Sequence, residues 1–297
     1  MRKASWMLGL LALFALPVGA EPMGNPEIIE ILELQGEIGP GTAVSIADSV
    51  RGINENQKVR GVVLVVNSPG GGVGASAAVY EELGKLKVPV VGWCDAVCAS
   101  GGLYALMAPS VKHIMVRSET VTGSVGVIAQ VARYNRLLEW AKVDFETYKS
   151  GELKDVGNPT RAAQEPESRY LQAIVDDLAQ RFYGVVAKAR PAVKDWPTVK
   201  SARIFIGQQA IEVGLADSLG SKEDAIKKAK ELSGSKLVFT REELKKMSKA
   251  AESSTYYRAP AAPEPTVLDD FRWLIGQLKE VRAGQSVSFE YRMPYRF

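Results

Sequence analysis

The chain has 297 residues, 46% of them hydrophobic and 24% charged, with a formal net charge of +3. That length supports one large domain or two modest ones, and the balance excludes a fully disordered chain and a polytopic membrane protein. The single histidine, His113, leaves no multi-histidine metal site, and near-neutral charge gives no electrostatic case for nucleic acid.

Residues 1–20 read MRKASWMLGLLALFALPVGA. Arg2 and Lys3 precede an apolar run from Trp6 to Leu16, and Val18-Gly19-Ala20 has the small-x-small pattern of a cleavage site. The run is short for a spanning helix, which wants about 20 apolar residues. The segment therefore predicts an exported, periplasmic or otherwise extracytoplasmic protein. It is soluble if the segment is a cleaved signal and membrane-anchored if the segment is retained.

Residues 28–34 form a strand-like run, and 42–54 carry Val44, Ala47, Val50 and Ile53 on one helical stripe. Residues 61–66 (GVVLVV) are continuously apolar, the mark of a strand buried on both faces. NSPGGGVG follows as a predicted loop, then a helix from about 75 to 86 and a second buried strand over 88–93. A helix is expected from Ser100 or Gly101 to Met107, with short strands near 113–116, 125–131 and 144–148. A long helix over 165–189, a strand at 203–206 and helices at 207–213 and 222–232 close the body. Alternating strands and helices imply an α/β domain with a largely parallel sheet.

The C-terminal part differs. Residues 250–266, with Pro260, Pro263 and Pro265, read as a linker. Residues 267–281 then place their apolar side chains on one helical face, which could dock on the body, a neighbouring subunit or a membrane surface. Cys94 and Cys98 are the only cysteines, compatible with two buried free thiols or, after export, a short disulfide.

Chemistry can be placed first at Ser100, in CDAVCASGGLYAL. A strand delivers this serine to a small-residue turn that opens a helix. Unpaired backbone N–H groups and the positive dipole end gather there, able to cap a helix or to hold an oxyanion. The glycines of Asn67 to Gly72 can likewise turn N–H groups toward a ligand, or simply make a tight turn. No G-K-[ST] follows them, so a phosphate loop is not indicated. A serine nucleophile needs a base. His113 is one candidate; Lys149 and Lys154, in YKSGELKD, are others, because a desolvated lysine can serve. Ser124, in VTGSVGV, is either a turn serine or a partner for such a lysine.

VVNSPGGGV, ASGGLYAL, VTGSVGVI, FETYKSGELKDVGNP and IFIGQQAIEVGLADSLG stand in an order that resembles the signal peptide peptidase A family of Ser-Lys proteases. The resemblance covers about 61–220, over half the chain. It implies a Clp protease/crotonase-like α/β spiral of ββα units, which makes residues 21–240 the expected peptidase domain; 241–297, a linker and C-terminal extension with an amphipathic helix, lie outside the resemblance. It implies Ser100 as nucleophile, Lys154 as general base, Ser124 as the residue that orients the lysine, and the Gly71 and Gly101 N–H groups as oxyanion donors. It also implies no cofactor and no metal, a ring-like homo-oligomer (an octamer for a single-repeat chain), and signal-derived or other unfolded membrane-associated peptides as substrates. Two departures stand out. The family often has Tyr-Tyr after the paired glycines where this chain has Leu103-Tyr104, and its members commonly keep an N-terminal anchor. Three other readings use the same residues: a processing protease with a protein target, an acyl-CoA enzyme of the shared fold, and a non-catalytic envelope scaffold.

Overall fold

An unbroken run of apolar residues and glycine from Gly61 to Val66 can be buried only where both faces of a strand are covered. In a computed structural model, which describes residues 26–253, that run lies inside a strand between two apolar cores. The chain proceeds through β1 (Glu27–Ile38), α1 (Pro40–Glu55), β2 (Val59–Gly71), α2 (Val73–Gly84), β3 (Val90–Ala99) and α3 (Gly101–Ala105). It continues through β4 (Val111–Val116), β5 (Val121–Gly123), α4 (Asn135–Ala141), α5 (Glu165–Ala189), α6 (Trp196–Lys200) and β6 (Ile204–Ile206). It ends with α7 (Gly207–Glu212), β7 (Ser218–Leu219), α8 (Lys222–Ser233), β8 (Val238–Thr240) and α9 (Arg241–Ser253).

Side chains alternate across β2. Val62, Leu64 and Val66 enter the larger core with Ile46, Leu83 and Leu106, while Val63 and Val65 meet Trp93, Ala225 and Ala229 on the opposite face. The strands β8, β1, β2 and β3 lie side by side in parallel. Parallel neighbours need crossover connections; α1 and α2 provide the two between β1, β2 and β3. The far edge of β3 is forked. Val90 to Cys94 pair with β4, whereas Val97 to Ala99 pair with β5, which runs antiparallel to β6. The fork brings the end of β3 out beside the end of β2, where Ser68 pairs with Cys98. This is the α/β architecture expected from the alternation of elements.

Some boundaries differ from the sequence reading. Asn67 to Gly71 are not a loop but the last residues of β2, because pairing with β1 persists at Gln35↔Asn67, Glu37↔Gly70 and Ile38↔Gly71. A register shift between Gln35 and Glu37 passes over Pro69, which has no N–H to contribute to a regular ladder. The strands expected near 125–131 and 144–148 do not form; that stretch holds α4 and irregular chain, with Ile128, Trp140, Phe145 and Tyr148 exposed. β8 was not anticipated. Cys94 and Cys98 are buried free thiols, and burial pushes the Cys98 thiol well up.

The described residues fall into two units, one ending at Leu244 and a second beginning at Lys245, of which only the close of α9 is described. The signal or anchor at 1–20 and the amphipathic helix at 267–281 lie outside the described residues. Among the described residues no helix is long and apolar enough to cross a membrane.

Candidate active site

Ser100 follows the last residue of β3 and caps α3. Its backbone sits at φ 52°, ψ −122°, a region that costs a residue with a Cβ about 1–3 kcal/mol and persists only when its surroundings hold it there. The hold is visible on both sides. The Ser100 N–H donates to the Gly123 carbonyl at 2.9 Å, and its carbonyl accepts from the Tyr104 N–H at 2.9 Å. β3, β5 and α3 together leave the residue no other path.

Glycine is what lets the end of β2 approach this serine. A Cβ on Gly70, whose φ is +102°, would lie 2.7 Å from the Gly101 nitrogen and 3.0 Å from Ser100 Oγ. A Cβ on Gly71 would lie 2.2 Å from the Ile38 carbonyl oxygen. Ser68, fully buried, ties the approach down: its Oγ donates to the Gly36 carbonyl at 2.6 Å and accepts the Gly70 N–H at 3.2 Å. Asn67 Oδ1 accepts the Val97 N–H at 3.2 Å, joining β2 to β3 just before the serine. The Gly72 N–H donates to Ile38 at 3.0 Å, so the Gly71 N–H, one residue back along the strand, is turned away from β1.

Ser100, Gly101 and Gly71 line one pocket of about 280 Å³. Its apolar walls include Val73 from α2, Tyr104 from α3, Val127, and Leu178 and Phe182 from one face of α5. Tyr104 meets Phe182 edge-on at 4.9 Å and Tyr80 at 5.2 Å, while Leu103 is packed into the core. The Leu-Tyr pair thus supplies one core residue and one pocket wall.

The structure brings together three of the predicted site residues and separates the others. Ser124, half-buried at φ 51°, holds its N–H on the Arg203 carbonyl at 3.0 Å, just before the pocket residues Gly126 and Val127. Lys154 lies outside the pocket lining, on an exposed turn. That turn is braced by its neighbours. Lys149 Nζ donates to Asp155 at 2.7 Å and to the Glu152 carbonyl at 2.8 Å; Arg161 contacts Asp155 at 2.9 Å and the buried Glu167 at 2.9 Å. Arg161 and then Lys149 hold the Asp155 carboxyl well below the usual carboxylate range, and Arg161 also lowers Glu167. His113 is away from the pocket on β4, with Nε2 on Ser218 Oγ at 2.8 Å; burial pushes its imidazole below the ordinary value. The sequence singles out Asn67 to Gly72 for its glycines but gives no role to the Asn67 and Ser68 side chains, and nothing local marks Ser76; the contacts that employ them are visible only in three dimensions. Among the described residues no three His, Cys, Asp or Glu side chains converge to hold a metal ion.

A serine forced out at a strand-to-helix turn, faced by glycine backbone and a pocket, suits nucleophilic attack on a carbonyl. The model of peptidase family S49 matches residues 82–236. A protein of Synechocystis sp. named as a protease is 38% identical over 68% of this chain and 73% of its own length. This chain belongs to peptidase family S49. It is a serine-type peptidase by family, and a match of the Clp protease family model to residues 28–130 gives the S49 body here a Clp-like fold. A protein of Enterococcus faecium named as a signal peptide peptidase SppA is 41% identical over 63% of this chain and 56% of its own length. Protease 4 of Salmonella typhi is 31% identical over 70% of this chain. The chain spans about half of the Enterococcus relative and a third of the Salmonella one, 56% and 33% respectively.

Proposed function

We propose that this S49 chain is an endopeptidase of the cell envelope that cleaves unfolded or signal-derived peptides with a Ser100–Lys154 dyad. The observation that carries the reading is the Ser100 turn, where a strained backbone presents a hydroxyl to a pocket edged by Gly71 and Gly101. In the first step Ser100 Oγ bonds to the scissile carbonyl carbon while its proton passes to Lys154 Nζ. The carbonyl oxygen gains the charge, and the Gly71 and Gly101 N–H groups would receive it; a donor of this kind is worth about 10²–10³ in kcat. Collapse expels the amine, which takes the proton from the lysine, and water then hydrolyses the Ser100 ester. Ser124 would orient Lys154.

A lysine acts as a base only where burial disfavours its charge. Lys154 is exposed on this chain, so assembly is part of the proposal. The segment before it carries Ile128, Leu137, Trp140, Phe145 and Tyr148 on its surface, more large apolar side chains than a monomer ordinarily leaves in water. A neighbouring copy in a homo-oligomeric ring, an octamer on the family resemblance, would cover them and enclose the lysine. Residues 1–20 would deliver the chain to the envelope.

The test uses the full chain, with Ser100→Ala and Lys154→Ala at matched oligomer size, on unfolded peptides and fluorogenic peptide esters. Both variants are expected to lose at least about 10³ in kcat, on the scale by which removing a nucleophile or its base disables a hydrolase. His113→Gln should cleave like the wild type. A Lys154→Ala enzyme as active as the wild type would remove the dyad.

A further inference from the structure

Ser76 has a buried hydroxyl without a partner, on a residue that lines the pocket beside Ser100. The residue is 5% exposed, within the first turn and a half of α2, and its Oγ makes no hydrogen bond. A helical serine usually returns its hydroxyl to the carbonyl four residues back. Here the Gly72 carbonyl accepts the Ser76 backbone N–H at 2.9 Å, and the hydroxyl is directed elsewhere. It rests against the bare face of Gly101, where a Cβ would lie 2.2 Å from Ser76 Oγ. Gly101 is the residue after Ser100, and all three line the same pocket. Val73, Ala77, Val127 and Phe182 give the lining its apolar part, with Tyr104 and Arg181 as its other polar side chains besides Ser100. An unpartnered hydroxyl in such a lining is a group whose hydrogen bond has been left for something that enters.

We propose that Ser76 is a specificity residue that hydrogen-bonds a short hydroxyl side chain, serine or threonine, on the residue whose carbonyl Ser100 attacks. This rests on Ser100 being the nucleophile. When Ser100 bonds to that carbonyl, the side chain one atom away is held next to Gly101, and a γ-hydroxyl there falls within reach of Ser76 Oγ. One hydroxyl donates and the other accepts, so both are satisfied. An ethyl side chain of the same size would leave Ser76 unmet. A neutral hydrogen bond of this kind corresponds to a preference of about fivefold to tenfold.

The experiment compares two peptides that differ only at this residue, serine against α-aminobutyrate, which replaces the hydroxyl by a methyl. The full-length wild type is expected to favour the serine peptide in kcat/KM by about fivefold to tenfold, and Ser76→Ala to bring the ratio to about one. Its thermal midpoint should stay level or rise, because the hydroxyl removed had no partner. A ratio of one in the wild type, or a ratio unchanged by Ser76→Ala, overturns the proposal. The second outcome covers a variant that slows both peptides equally and so acts on packing or on the shared backbone. A second measurement needs no turnover. Calorimetry on Ser100→Ala, with and without Ser76→Ala, compares product peptides ending in serine or in α-aminobutyrate. If no enzyme form cleaves but the serine product still binds more tightly through Ser76, the nucleophile reading fails while the pocket assignment stands. If neither cleavage nor binding distinguishes the peptides, the pocket assignment fails.

Discussion

Gly70→Ala tests whether glycine at the end of β2 sets the geometry around Ser100. The added methyl would sit 2.7 Å from the Gly101 nitrogen, 2.8 Å from Ser100 Cβ and 3.0 Å from Ser100 Oγ. Backbone lies on one side of it, so relief requires moving β2 or the Ser100 turn rather than rotating a side chain. A φ of +102° adds a penalty for any residue with a Cβ, on the order of 1–2 kcal/mol. Overpacking adds about 1–3 kcal/mol more. A total near 3 kcal/mol would lower the melting temperature by roughly 6–12 °C for a domain of this size. Activity should fall further than stability. The displaced atoms include the proposed nucleophile and a proposed oxyanion donor, and a shift approaching 1 Å costs about 100-fold. Gly52→Ala is the paired control: this exposed position in α1 has nothing within 4 Å of a Cβ. There alanine should stabilise by about 0.5–1 kcal/mol and leave turnover unchanged. Scanning calorimetry and ester turnover per folded molecule, counted by covalent labelling of Ser100, measure both. A Gly70→Ala enzyme with the wild-type melting temperature and more than about a third of the activity would refute the crowding described here.

The brace beneath Lys154 should make stability depend on acid. Asp155 and Glu167 are held below their ordinary values by Arg161, so their contribution is full above about pH 5 and is lost as the pH falls through the depressed values. Arg161→Met should therefore melt below the wild type at pH 7, and the gap should be clearly smaller at pH 2. An equal gap at both pH values would show that the network is not what Arg161 supports. In α4 and the irregular chain after it, Trp140→Ser with Phe145→Ser removes two large exposed side chains. Light scattering should then find smaller assemblies, and peptide cleavage should fall with them; full-size assemblies from the double variant would locate the subunit interface elsewhere.

Several parts of this fold were legible because they are local. GVVLVV can only be a strand covered on both faces, and β2 is one. The helix expected over 165–189 is α5 to the residue, opened by Gln164 with Glu167 in a capping box. The strand-to-helix change at Ser100 was readable from small residues and two glycines, and it holds. The family resemblance is borne out by the S49 match. Other readings failed where a local rule met a distant partner. NSPGG looks like a loop by composition, yet β1 keeps it in the sheet. VGVIAQV and the residues around Phe145 have strand-like composition but no ladder, since strand propensity expresses itself only against a neighbour.

By itself the sequence determined the alternation of strands and helices, the two-faced burial of β2 and the serine at the end of β3. These follow from periodicity and from residues that break or cap an element, and such effects act within a few positions. Tertiary structure alone decided what stands around that serine. The bend of Gly70, the Ser68 tie to Gly36 and the unpartnered Ser76 hydroxyl all come from strands and helices distant in the chain. So does the placing of Lys154 on an exposed turn outside the pocket. Contacts between distant segments depend on register and backbone approach, which no short window of residues contains.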